Sequence, residues 1–303
     1  MDIVTVRHLT RYRYARPVAF GEHRIMFRPR ASFDQHVLEY KLTITPAPDD
    51  LRYVHDVFGN CIGIARFSEQ ASTLSFESAV RLEHTPESSL DFPASPELAR
   101  NSYPFAYQES DLPDLYSSML RTHGDEGRAL ASWARRFLQD VGRVDAPNVL
   151  AAMTHAIHTE FDYLPRAKGP AQSPLETLHL GAGTCRDFAL LMVEAARELG
   201  LAARFVSGYL YVPPHGFSGT ARQGGGNTHA WVRVFLPHGG WAEYDPTNGL
   251  VGNRDLIRVA VVRDPAQAVP LSGSFIGRHE DYIGMDVDVD VSVETPAARE
   301  NWQ

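Results

Sequence analysis

The stretch Gly181-Ala182-Gly183-Thr184 constrains this chain most. It is a glycine-rich turn that runs straight into an amphipathic pattern from Cys185 to Leu199. Phe188, Ala189, Met192, Ala195, Ala196 and Leu199 recur on one side at helical spacing, and Gly200 supplies the stop. Strands follow, over 203–212, 229–236, 241–245 and 256–262, with Pro237-His238-Gly239-Gly240 as the hairpin turn between the second and third. Helices precede it. Leu130, Trp133, Ala134, Phe137, Leu138 and Val141 share one face. A second helix begins near Pro147 and carries Leu150, Met153, Ile157 and Phe161. Ser173-Pro174-Leu175-Glu176 has the form of a capped helix start, with Gly181 as its end.

The first third alternates at the strand period. Val4, Val6, His8, Thr10 and Tyr12 interleave with Ile3, Thr5, Arg7, Leu9 and Arg11, and 37–44, 51–58, 61–67 and 72–82 continue the theme. Many short strands with turns between them predict a sandwich. Five prolines between Pro86 and Pro113 mark a connector with one short helix. The tail from Met285 to Val293 alternates strictly and reads as a last strand. The expected division is an N-terminal β-rich domain at 1–85, a connector at 86–125, a helix-and-sheet core at 126–270, and a C-terminal strand and tail at 271–303.

A net charge of -8 disfavours nucleic acid and anionic membranes as partners. No apolar run is long enough to cross a bilayer. Met1 to His8 lack a basic start followed by an apolar stretch, so a cytoplasmic location is expected, with Cys61 and Cys185 both reduced.

A thiol at a helix start meets unpaired backbone N–H groups and the positive end of the helix dipole, which favour thiolate and can receive an oxyanion. His229 opens one strand and Asp245 closes the next, so the hairpin places both at its open end. Thiol, imidazole and carboxylate can run acyl transfer without a cofactor. Each piece alone has a plainer account: a small buried cysteine, a hydrogen-bonded histidine, an Asp-Pro turn. Tyr163 is either an oxyanion donor or a packed aromatic. Arg186 pairs with Asp187 or with substrate, and Trp231 packs in the core or walls the cleft. The glycine-rich loop 213–228 is expected to flank the cleft, as a lid or as a plain surface loop. No metal is expected. His155 and His158 lack a zinc motif, and Asp286, Asp288 and Asp290 lack calcium-loop spacing and read as a solvated face.

Gly183-Thr184-Cys185-Arg186-Asp187-Phe188-Ala189, then 204–210, His229-Ala230-Trp231-Val232 and Tyr244-Asp245-Pro246-Thr247-Asn248 together resemble the bacterial transglutaminase-like superfamily. Arg28-Pro29-Arg30 and Asp56-Val57-Phe58-Gly59-Asn60 resemble the β-rich region that precedes this core in bacteria. The resemblance implies an α+β, papain-like core with helices packed on an antiparallel sheet, a β-sandwich-like domain before it, and Cys185, His229 and Asp245 as a triad. It implies a peptide or protein substrate, with water or an amine as acceptor. Arg186 stands where animal cross-linking enzymes carry tryptophan, so hydrolysis and cross-linking both remain open. A peptide-binding module that keeps the fold without turnover is the alternative.

Overall fold

The computed structural model describes residues 2–85, 102–138, 144–166, 169–211, 223, 226–237 and 239–294. The N-terminal region contributes β1 (Asp2–Phe20), β2 (His23–Ile25), β3 (Gln35–Thr45), β4 (Asp50–His55), β5 (Cys61–Arg66) and β6 (Ala71–His84). Alternation along β1 buries Val4, Val6, His8 and Thr10 and leaves Arg7 and Arg11 in solvent. β1, β6 and β3 are neighbours in one antiparallel sheet, and β2, β5 and β4 form another. Their facing sides meet around Tyr14, Phe20, Leu74 and Phe76 from the first and Ile25 and Ala65 from the second. This is the sandwich that the alternating strands suggested.

Among the described residues five α-helices follow: α1 (Leu112–Met119), α2 (Ala129–Arg135), α3 (Ala146–Glu160), α4 (Pro174–Leu180) and α5 (Cys185–Glu198). Of the expected connector, 86–101 lies outside the described residues; α1 is its short helix. α4 has the anticipated cap. Ser173 Oγ accepts from the Glu176 amide at 3.3 Å, Glu176 accepts from the Ser173 amide at 2.8 Å, and Gly181 ends the helix at φ 60°.

The core sheet is antiparallel, in the order Leu250–Val251, β9 (Gly240–Asp245), β8 (Thr228–Leu236), β7 (Ala203–Leu210), β10 (Leu256–Val262). α5 packs on it, with Ala189, Met192, Val193 and Ala196 in one cluster with Ala230, Val232 and Val234. Each such fully buried Val or Met contributes about 1.5–3 kcal/mol. The helix is buried on more than the one side its periodicity marks. Glu194 and Arg197 are inside as well and pair at 2.7 Å. Arg197 also donates to the carbonyls of Ser118, Ala203 and Arg263, and Glu194 accepts from the Thr122 amide, so the polar side of α5 is covered by chain that it hydrogen-bonds.

The final strand, β11 (Tyr282–Glu294), pairs antiparallel with β1 along the edge away from β6, so the C-terminal segment completes the N-terminal sheet. Asp286 and Asp290 stand opposite Arg11 and Arg7 in the ladder, and Asp286 pairs with Arg13 at 3.0 Å, so the acidic face lies beside a basic one. The first sheet also meets the core. Val4, Val6, Val80 and Leu82 share a cluster with Tyr209 and Tyr211, whose hydroxyls hydrogen-bond His8 Nδ1 at 2.9 Å and His84 Nδ1 at 3.1 Å. No helix among the described residues is long and apolar enough to cross a membrane.

Candidate active site

Cys185 is the first residue of α5 and is 8% exposed. Thr184 enters the helix in an extended conformation, and the Asp187 carboxylate reaches back to its amide at 2.7 Å and its hydroxyl at 2.9 Å. Asp187 is fully buried and also accepts from Arg166 at 2.9 Å and the Gln172 amide at 2.7 Å, so one carboxylate ties the helix start to the segment before α4. Gly183 is required here, because a Cβ would meet Asp187 Cβ at 2.8 Å. The amides of Cys185 and Arg186, in the first turn, have no intrahelical acceptor and lie at the positive end of the dipole.

His229 lies near the start of β8 and Asp245 ends β9. His229 Nε2 is 2.8 Å from Asp245 Oδ2, with both side chains fully buried. Asp245 is further held by Asn248 Nδ2 on Oδ2 at 2.8 Å and by the Thr247 amide on Oδ1 at 2.9 Å. Burial alone would push the imidazole down. The charge and hydrogen bond of Asp245 override it, Cys185 adds to them, and His229 is raised to about 10. Burial alone would push Asp245 up, but His229, Asn248 and the Thr247 amide hold it below the usual carboxylate range. Asp245 occupies Nε2. Nδ1 is buried without a hydrogen bond among the described residues, which leaves Nδ1 for the interaction with Cys185. The arrangement can hold a proton between thiol and imidazole while the carboxylate fixes the tautomer.

The structure brings Tyr163 to the same place. Asp162–Tyr163 pairs in parallel with Ala182–Gly183, directly before the thiol. Burial, then the neighbouring Cys185 and Asp245, push the phenol up to about 12. Arg186 is turned away to brace backbone, donating to the carbonyls of Gly169 and Arg166 at 3.2 Å each. Trp231 packs in the core and is fully buried. Its ring lies 6.1 Å from that of His229 at 22°, and its Nε1 donates to Glu243 at 2.8 Å. His158 and His155 do not form a pair. His158 Nδ1 bonds the Thr247 carbonyl at 2.8 Å, bracing the turn after Asp245, and His155 is exposed. Most of 213–228 lies outside the described residues, but Gln223 exchanges hydrogen bonds with the Asn248 side chain at 2.8 and 3.2 Å.

Three residues given no role from the sequence complete the site: Asn248, Glu243 and Gly208. A Cβ at Gly208 would meet the Ile257 carbonyl at 2.0 Å and the Trp231 ring at 2.7 Å, so only glycine lets the indole lie across β7. Hairpin alternation signals Glu243, which falls on the same side of the sheet as Trp231 and Asp245.

Known proteins match this arrangement in two blocks. The family described as "Bacterial transglutaminase-like N-terminal region" matches residues 4–83, and the one described as "Transglutaminase-like superfamily" matches 132–246. An uncharacterized protein of Mycobacterium tuberculosis, Rv2569c, is 31% identical over 94% of this chain and 91% of its own length. An uncharacterized protein of Mycobacterium leprae, ML0607, is 28% identical over 95% and 96%. A crystal structure bearing the name "Putative Cysteine Protease from Cytophaga hutchinsonii" superposes with a TM-score of 0.70, covering 100% of this chain and 94% of that one. At 17% identity that likeness is one of fold. With both blocks in order and a relative similar along nearly its whole length, the chain belongs to the transglutaminase-like superfamily and carries its bacterial N-terminal region.

Proposed function

We propose that this protein is a cysteine-dependent acyl-transfer enzyme acting on amide or peptide bonds of a peptide or protein. The observation that carries the reading is the fully buried His229–Asp245 pair at 2.8 Å, with the second imidazole nitrogen left to Cys185 at the start of α5. Cys185 Sγ attacks the carbonyl carbon, its proton residing on His229. The C–S bond forms and the carbonyl π pair becomes an oxyanion, facing the first amides of α5 and the Tyr163 hydroxyl. Collapse breaks the C–N bond, and the leaving nitrogen takes the proton from His229. Water or an amine then attacks the thioester, giving its proton back to His229, and the C–S bond breaks. Asp245 keeps Nδ1 directed at sulfur throughout. A thiol chemistry of this kind suits a reducing compartment such as the cytoplasm.

The test is turnover of amide and peptide substrates, with and without an added primary amine, by the parent chain and by Cys185→Ala, with mass spectrometry of the parent for a trapped thioester on Cys185. Loss of turnover in the variant and an acyl adduct in the parent are expected. Turnover at the parent rate by Cys185→Ala ends the assignment.

A further inference from the structure

The imidazole of His229 rests beside a residue whose position is set from the other domain. Trp231 Nε1 donates to Glu243 Oε2 at 2.8 Å, and Glu243 Oε1 accepts from Arg258 Nη1 at 2.7 Å. Arg258, on β10, is 3% exposed, and its Nη2 turns to the N-terminal region, where it meets Asp34 Oδ1 at 2.5 Å and Ser32 Oγ at 2.8 Å. Gln35 clamps the backbone of the same residue, accepting from the Arg258 amide and donating to its carbonyl, at 2.9 Å each. A second donor, Asn253 Nδ2, holds Asp34 Oδ2. Every side chain from Asp34 to Trp231 is at least nine-tenths buried, so water cannot substitute for a lost partner.

A guanidinium that bridges two carboxylates fixes both, because its N–H fork is rigid. One of these carboxylates belongs to the N-terminal domain. The other holds the indole that packs against the imidazole at 22°. We infer that the N-terminal domain positions His229 for its reaction with Cys185 through the chain Asp34–Arg258–Glu243–Trp231. None of the four touches substrate; they are positioning residues, and Asp34 acts from the other domain. With Asp34 neutralised, Arg258 swings wholly to Glu243, Glu243 is drawn off the indole, and the imidazole loses one of its two constraints. This inference rests on the acyl-transfer reading of Cys185 and His229.

The experiment measures alkylation of Cys185 by iodoacetamide at pH 7 in the full chain, resolved from Cys61 by peptide mass spectrometry. The chains compared are the parent, Asp34→Asn, Trp231→Phe and the double variant. Each single change is expected to slow alkylation roughly tenfold or more, as a displaced catalytic group does. The double variant is expected to be no slower than the slower single, because both break one chain. Asp34→Glu, which keeps the carboxylate, is expected to recover part of the rate. Should Asp34→Asn fold poorly by near-ultraviolet circular dichroism, Ser32→Ala supplies the milder second limb. Two folded single variants whose effects multiply in full, or a folded Asp34→Asn at the parent rate, overturn the inference and leave the acyl-transfer reading standing. A parent Cys185 no more reactive than a free cysteine peptide overturns that reading first, and this inference with it.

Discussion

His229 reaches Asp245 diagonally across the β8–β9 hairpin, not straight across it. The ladder pairs Val232 with Tyr244, and its continuation sets Asp245 opposite Trp231 with His229 further out on the same side of the sheet. The turn after Asp245 makes the diagonal work. Oδ1 accepts from the amides of Thr247 and Asn248, which curls the chain and leaves Oδ2 facing Nε2 at 2.8 Å. One carboxylate thus orients the imidazole and shapes the loop that follows.

That pair makes stability depend on pH on both sides. His229 is raised from 6.5 to about 10, so its contribution is complete below 6.5 and is lost as pH rises through about 10. Asp245 is lowered from 3.8, so its contribution is complete above 3.8 and is lost as pH falls through its lower folded value. Urea unfolding of the parent and of Asp245→Asn across this range is expected to show the widest gap between the two below pH 6.5 and above 3.8, narrowing beyond either limit. A gap constant from pH 4 to 10 contradicts the account.

Asn248→Ala removes a buried donor to a charged oxygen and severs Gln223 from the site. A hydrogen bond to a charged group is worth about 1.5–3 kcal/mol, and a loss of that order in unfolding free energy is expected. The Asp245 carboxyl resonance, followed by NMR, is expected to titrate at higher pH than in the parent, since Asp245 loses one of the hydrogen bonds that hold it below the usual range. An unmoved titration would assign Asn248 to the loop alone.

Gly208→Ala places a methyl group against the Ile257 carbonyl and the Trp231 ring. Overpacking of this kind costs about 1–3 kcal/mol, and here it must part β7 from β10 or lift the indole. Thermal unfolding together with the indole N–H resonance of Trp231 distinguishes the two. A variant with the parent's melting point and an unshifted indole resonance would mean that the strands yield freely at this point.

Much of this is legible in the sequence itself. The capping residues Ser173 and Glu176, the stops at Gly181 and Gly200 and the alternation of β1 act locally, so the sequence displays them directly. The pairing of His229 with Asp245 is legible because the open end of a hairpin is a geometric marker, as the helix start is for Cys185. What stayed hidden depends on partners far along the chain. The burial of Glu194 and Arg197 follows from residues 118–122 and 263 crossing over α5, and no periodicity reports that. The full burial of Trp231 depends on Gly208 and on the charges beneath it, so an aromatic beside a histidine could equally have faced substrate. β11 declared itself a strand by alternation, but its edge was free to be β1 or β10, and only the cross-strand match of Asp286 and Asp290 with Arg11 and Arg7 favours the first.

On the proposed mechanism, Tyr163→Phe separates binding of the oxyanion from activation of the thiol. Tyr163 lies on the short strand paired with the residues just before Cys185, and the neighbouring Cys185 and Asp245 help to push its phenol up. An oxyanion forms in acyl transfer but not in alkylation by iodoacetamide, where sulfur attacks a saturated carbon. Tyr163→Phe is therefore expected to lower kcat on an amide substrate by about 10²–10³-fold, the cost of one lost oxyanion donor, with KM and the alkylation rate of Cys185 nearly unchanged. If both rates fall together, Tyr163 serves the thiol or its packing, and the oxyanion is left to the amides at the start of α5.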